Sequence, residues 1–166
     1  MKELIFRKPD SNDYPYLKSI WEDPDTMEAV GGIFPITEEY FLKWLDSMTD
    51  TYKYKNCFYL IWTENVCIGE VSFHRYDRKT KTAELNIKIK SMHRRNGFGK
   101  KALDFILKVF FNEWDGDVMT DNIRDGNTAG LNALKAYGFL ERKNSDNETV
   151  LFFTREQYLK ASCQTQ

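Results

Sequence analysis

The stretch Ser91-Met92-His93-Arg94-Arg95-Asn96-Gly97-Phe98-Gly99-Lys100-Lys101 constrains this chain more than any other. Apolar residues alternate before it, at Leu85, Ile87 and Ile89. After it they recur at helical spacing, at Phe98, Ala102, Phe105, Ile106, Val109 and Phe110. A strand therefore ends, a basic glycine loop follows, and a helix begins inside the loop. Glycine lets the backbone approach a ligand because no Cβ intervenes. The first N–H groups of a helix have no partner within it, and the positive end of the dipole lies behind them. Such a start is an anion site, and the usual anion is a phosphate or pyrophosphate. Arg94, Arg95, Lys100 and Lys101 add charge of matching sign.

Composition narrows the partners. The 166 residues suit one domain, and a 42% hydrophobic content is ample for its core. The formal net charge of -1 argues against a general nucleic-acid binder and fits a small anionic ligand at one basic loop. Charge interrupts Met1-Lys2-Glu3-Leu4-Ile5-Phe6-Arg7 too early for a signal peptide, and no apolar run reaches the length of a membrane span. Cys57, Cys67 and Cys163 show no paired spacing, so Cys57 and Cys67, in apolar strand-like runs, are expected as buried thiols. His74 and His93 join no cluster, so no metal site is expected. A cytoplasmic domain is expected.

Taken in order, Leu4 to Arg7 reads as a first strand. A helix carries Leu17, Ile20 and Trp21 inward until Asp23-Pro24-Asp25 breaks it, and Asp25 to Val30 can add another turn. Gly31 to Pro35 is a loop. Thr37 then caps a helix holding Phe41, Trp44, Leu45 and Met48. Cys57 to Thr63, Val66 to Arg75 and Thr82 to Ile89 read as an antiparallel meander. The helix after the basic loop ends near Trp114. Val118 to Asn122 is a strand, Asn127 opens a helix that Gly138 stops, and Leu140 to Arg142 pairs with Val150 to Thr154 across the Lys143 to Thr149 turn. Thr154-Arg155-Glu156-Gln157 matches a capping box for a short last helix, with residues 158–166 expected to fray. The expected fold is α/β (α+β): a single domain over 1–166, its mixed, mostly antiparallel sheet flanked by helices.

Arg94-x-x-Gly97-x-Gly99 resembles the acetyl-CoA loop of the GNAT superfamily of N-acetyltransferases. Asn127, Ala129 and Gly138-Phe139 stand at that family's spacing from one another. Asp23-Pro24-Asp25-Thr26-Met27, Gly31-Gly32, Thr37-Glu38-Glu39 and Trp44-Leu45 are similar to the branch containing ribosomal-protein N-terminal acetyltransferases. The order of elements is also that of the GNAT fold. Gly97-x-Gly99-x-x-Ala102, with Asp121 downstream, satisfies a dinucleotide fingerprint too. That reading ranks lower, because the fingerprint belongs within repeated βαβ units and an antiparallel meander precedes it here.

The resemblance implies a site. The backbone of Ile87, Lys88 and Ile89 would hold the acetyl and pantetheine part of acetyl-CoA, one N–H polarising the thioester carbonyl. The basic loop (Arg94, Arg95, Asn96, Gly97, Phe98, Gly99 and Lys100) would take the pyrophosphate, the amides of Arg95 to Lys100 donating to it, and Asn127 would bind the pantetheine arm or adenine end. A primary amine would then attack the thioester directly, with coenzyme A as product. Many GNATs place an acidic Tyr seven residues after the Asn, but that position here is Leu134, and Tyr137 lies three residues on. For the base, strand parity puts Glu70, Ser72 and His74 on one face, and Glu84, Asn86 and Lys88 on one face of the next strand. If His74 pairs with Glu84, Ser72 opposes Asn86 and Glu70 opposes Lys88. Glu84, ahead of Glu70, is the expected general base. The acceptor is expected to be a small amine, a polyamine or a protein N-terminus. A homodimer is a family habit. An acetyl-CoA sensor or partner module without efficient transfer is the alternative.

Overall fold

The structure is a computed structural model describing residues 3–49, 53, 55–143 and 149–163. Its centre is a seven-stranded sheet in the order β1-β2-β3-β4-β5-β7-β6. The strands are β1 (Ile5–Arg7), β2 (Cys57–Thr63), β3 (Val66–Asp77), β4 (Thr82–Ile89), β5 (Val118–Asn122), β6 (Leu140–Lys143) and β7 (Thr149–Thr154). Every neighbouring pair is antiparallel except β4 with β5. The repeated βαβ units of a dinucleotide fold are thus missing among the described residues, which removes the physical basis of the lower-ranked reading.

Alternation along the strands divides the helices between two faces. One face carries Val71, Phe73, Ala83, Leu85, Met119 and Phe153 under α4 (Phe98–Lys108) and α5 (Thr128–Tyr137). The other carries Phe58 and Leu60 under α1 (Tyr14–Trp21), α2 (Pro24–Met27) and α3 (Glu38–Thr49). The two Arg7 guanidinium nitrogens reach the buried Asp13 carboxylate at 2.9 and 2.6 Å, fastening β1 to the start of α1.

Local signals explain the boundaries. Asp23 caps α2 by accepting from the Thr26 N–H, and Pro24 opens it, so the expected break is also a helix start. Thr37 Oγ1 accepts from the Tyr40 N–H at the entrance to α3. After α4, one wide π turn, Val109–Glu113, packs Phe110 and Phe111 into the core before β5. The last helix, α6 (Arg155–Cys163), starts at the expected capping box. It continues past residue 158 because the Tyr158 ring stacks on Phe111 at 4.9 Å and its hydroxyl accepts from Asn112. Residues 158–163 of the tail expected to fray stand within α6. Residues 144–148 of the expected Lys143 to Thr149 turn, and residues 164–166, lie outside the described residues. Cys57 and Cys67 are buried free thiols, both pushed up to about 11 by burial.

Candidate active site

The one parallel pair creates the site. β4 and β5 are in register only from Thr82–Val118 to Glu84–Thr120. Beyond Glu84 the strands part, and a cleft of about 1220 Å³ opens along Leu85 to Ile89. The edge of Ile87, Lys88 and Ile89 lines it from one side; Arg95, Gly99 and Lys100 at the start of α4 and Asn127 before α5 line it from others.

The basic loop is built to hold its own shape. Arg94 spends its guanidinium on three carbonyls: Nε to Ile89 at 3.1 Å, Nη1 to Asp25 at 3.3 Å and Nη2 to Thr26 at 2.9 Å. The Ser91 N–H donates to Thr26 Oγ1, and the Asn96 side-chain amide donates to the carbonyls of His93 and Arg94. Arg94 and Asn96 thus act on the loop itself rather than presenting free side chains. Phe98 is a core residue and offers only its backbone. Gly97 precedes α4 with φ of 75°, a left-handed geometry that favours glycine. A Cβ at Gly97 or Gly99 would meet no atom within 4 Å, so both glycines border open space where a ligand can lie against the chain. Asn127 gives its oxygen to the Gly130 N–H at 2.9 Å, leaving its Nδ2 for any ligand. An open strand edge, a glycine cradle and a helix start make this arrangement fit a phosphate-bearing ligand with an extended arm.

The expected β3–β4 register holds: His74 pairs with Glu84, Ser72 with Asn86, Glu70 with Lys88. The two candidate bases differ sharply, however. Glu70 is fully buried, with Oε1 accepting from Lys88 at 2.5 Å and Oε2 from Trp21 Nε1 at 2.7 Å. Glu84 is partly exposed on the cleft, where its oxygens accept from Arg75 at 3.2 Å and Asn122 at 3.4 Å. His74, pushed down to about 4 by burial and the nearby cations Lys88 and Arg75, is neutral at pH 7, its Nε2 joined to Ser72 Oγ. Tyr137 donates its hydroxyl to Asp104 at 2.7 Å, a bond that ties α5 to α4 and raises its proton affinity along with burial.

The sequence and this topology match a known family. A family profile for the acetyltransferase (GNAT) domain matches residues 3–140. The chain belongs to the GNAT family. It is therefore an N-acetyltransferase, a class that uses acetyl-CoA as donor. Solved GNAT structures share the fold at low identity. Spermidine N-acetyltransferase from Vibrio cholerae in complex with CoA and spermine is 14% identical, with a TM-score of 0.81 over 94% of this chain and 98% of that one. RimL, the ribosomal L7/L12 α-N-protein acetyltransferase in complex with CoA, is 17% identical, with a TM-score of 0.76 over 92% and 93%. PaiA N-acetyltransferase from Thermoplasma acidophilum with coenzyme A is 15% identical, with a TM-score of 0.69 over 92% and 99%. No curated protein sequence matches this GNAT chain. Among the described residues no helix is long and apolar enough to cross a membrane.

One cleft carboxyl is neither the expected base nor at the usual acid position. Asp121 is half-buried on β5, and desolvation, with Glu84 nearby, pushes its carboxyl up to about 7. The signal available in the sequence was parity: Asp121 alternates with Thr120 and so shares the face of the buried Met119. A raised carboxyl makes the native state hold a proton that the unfolded chain releases near pH 4. The native advantage is complete below that pH and is lost as pH climbs through about 7. Asp121→Asn is thus expected to stabilise the protein increasingly between pH 4 and 7, with a ceiling of about 4 kcal/mol. Urea unfolding at pH 5 and pH 8 checks this; an equal effect at both would remove the buried-carboxyl account.

Proposed function

We propose that this chain moves an acetyl group from acetyl-CoA to a primary amine by direct attack within a ternary complex. The observation that carries the reading is the parting of β4 from β5 opposite the glycine start of α4, both opening on one cleft. Acetyl-CoA would supply the activated acetyl thioester. The strand edge over Ile87, Lys88 and Ile89, where the Ile89 carbonyl is held by Arg94, offers its remaining backbone groups to amides and a carbonyl, the amides from Arg95 to Lys100 would take the pyrophosphate, and Asn127 Nδ2 would donate to the arm. Glu84, on the open side of the cleft, takes the amine proton directly or through water. The acceptor is a small amine, a polyamine or a protein N-terminus, classes matched by the spermidine and L7/L12 acetyltransferases of the same fold. A cytoplasmic setting accords with the buried thiols Cys57 and Cys67.

Calorimetric titration with acetyl-CoA, with NADH in parallel, tests this. We expect acetyl-CoA alone to bind, and Gly99→Leu to weaken it at least tenfold. Open space beyond Gly99 means that the added side chain meets ligand rather than protein. Preference for NADH, or no effect of Gly99→Leu, would remove the proposed donor site. A second reading, an acetyl-CoA sensor, is favoured by Leu134 at the usual acid position and by the engagement of Tyr137 with Asp104. Transfer to any amine in a broad panel separates enzyme from sensor.

A further inference from the structure

The proposed reaction leaves one duty without an owner. The departing sulfur needs a proton, Leu134 has none to give, and the Tyr137 hydroxyl is committed to Asp104. We propose that Asp121 supplies that proton, acting as the general acid on the donor side of the cleft. The inference rests on the acetyl-transfer reading above and assigns a residue within it.

Position is the first argument. Thr120 is the last β5 residue in register with β4, so Asp121 stands at the point where the two strands part. Alternation sends it to the face that Met119 buries beneath α4 and α5, the side on which the glycine loop and Leu134 lie. Glu84, Asn86 and Asn122 occupy the opposite face, toward α1 to α3, where Glu84 accepts from Asn122. The two carboxyls therefore approach one gap from its two sides. An acid at one side and a base at the other is the division of labour that acetyl transfer requires.

Surroundings are the second argument. β7 presents only Leu151 in register with Asp121. The charged or titratable groups sharing the cleft from other elements are Glu84 and Lys88 on β4, His74 and Arg75 on β3, Arg94, Arg95 and Lys100 around the start of α4, Tyr137 on α5, and Arg124 on the following loop. Lys88 is paired with Glu70, Arg75 with Glu84, and His74 is neutral at pH 7. The Asn122 backbone N–H favours the charged carboxylate, but burial and Glu84 outweigh it, so a protonated carboxyl is available near neutrality.

The step balances. The amine lone pair forms the C–N bond, the C–S bond breaks and its electron pair stays on sulfur. Glu84 receives the proton lost by nitrogen and Asp121 gives its own to sulfur. Exchange with solvent then returns both carboxyls to their starting states.

The test compares wild type with Asp121→Asn, which keeps size and shape. Wild-type kcat should decline on the alkaline side; acetyl transfer by the variant should show kcat lowered at least tenfold, KM for acetyl-CoA within twofold, and loss of that decline. A second readout needs no turnover. Carboxyl carbon NMR of the free wild type, with the variant for assignment, should place the Asp121 midpoint near 7. Saturation with CoA should move that midpoint further than saturation with desulfo-CoA, which lacks the sulfur. An unchanged kcat and pH profile, or identical midpoints with the two ligands, overturns the assignment. Failure of wild type to bind either ligand would instead overturn the acetyl-transfer reading on which it rests.

Discussion

Replacing Lys88 with methionine is expected to cost the fold about 3–5 kcal/mol, because it strands a charge in the interior. Glu70 has no exposed surface, and its two oxygens are held by Lys88 Nζ and Trp21 Nε1. The Lys88 ammonium also lies 5.9 Å from the Trp21 ring centroid, and its side chain is only 12% exposed. The carboxylate itself has no exposed surface through which water could take over when the ammonium goes. The double variant Glu70→Gln with Lys88→Met should recover much of the loss. Its amide oxygen still accepts from Trp21, while no buried charge remains. That non-additivity separates an uncompensated charge from mere loss of packing by the lysine stem. Urea unfolding of wild type, both single variants and the double variant measures it. A small loss for Lys88→Met, or a double variant as weak as the singles' sum, would show that the pair is solvated and unimportant. The same geometry supports Glu84 over Glu70 as the proposed base: an enclosed carboxylate with both oxygens engaged locks Trp21 of α1 onto the sheet.

This pair also marks the limit of what residue order can convey. Parity put Glu70 and Lys88 on matching faces, and once His74 is paired with Glu84 counting alone sets Glu70 opposite Lys88, because antiparallel pairing is a local matter. Burial is not local. Whether the polar stripe of Glu70, Ser72 and His74 meets water depends on α1 arriving over it, a contact between residues as far apart as Trp21 and Glu70. Arg94 shows the same limit. Its charge and its place in the motif are plain in the sequence, yet its three acceptors include Asp25 and Thr26, nearly seventy positions earlier in the chain. Helix starts fared better, since Thr37, Asn127 and Thr154 act within three residues of themselves. Asp121 was legible as a carboxylate on a strand, but its burial required knowing that β4 and β5 part just there.

The largest effect on activity is expected at Glu84. Glu84→Gln should lower kcat by about a hundredfold or more, within the range for losing a positioned general base, while leaving acetyl-CoA affinity unchanged. Most amines are protonated at pH 7, and an ammonium has no lone pair with which to attack. Among the carboxyls near the parting strands, Glu70 is sealed and Asp121 lies on the other face with a raised proton affinity. Glu84 alone combines partial exposure, at 32% of its side chain, with a place on the open side of the cleft. Its partners Arg75 and Asn122 hold it without enclosing it, at 3.2 and 3.4 Å. Glutamine keeps the shape and one of the two accepting oxygens but cannot take a proton from the amine, so kcat should fall without a matching change in KM for acetyl-CoA. The variant should recover part of its rate as pH rises and more amine arrives already deprotonated. Arg75→Ala is the control: that arginine side chain is 84% exposed, so the pair contributes about 1 kcal/mol or less and turnover should change only a few-fold. Unchanged turnover in Glu84→Gln at neutral pH would take Glu84 out of the reaction and leave the amine to be deprotonated by solvent.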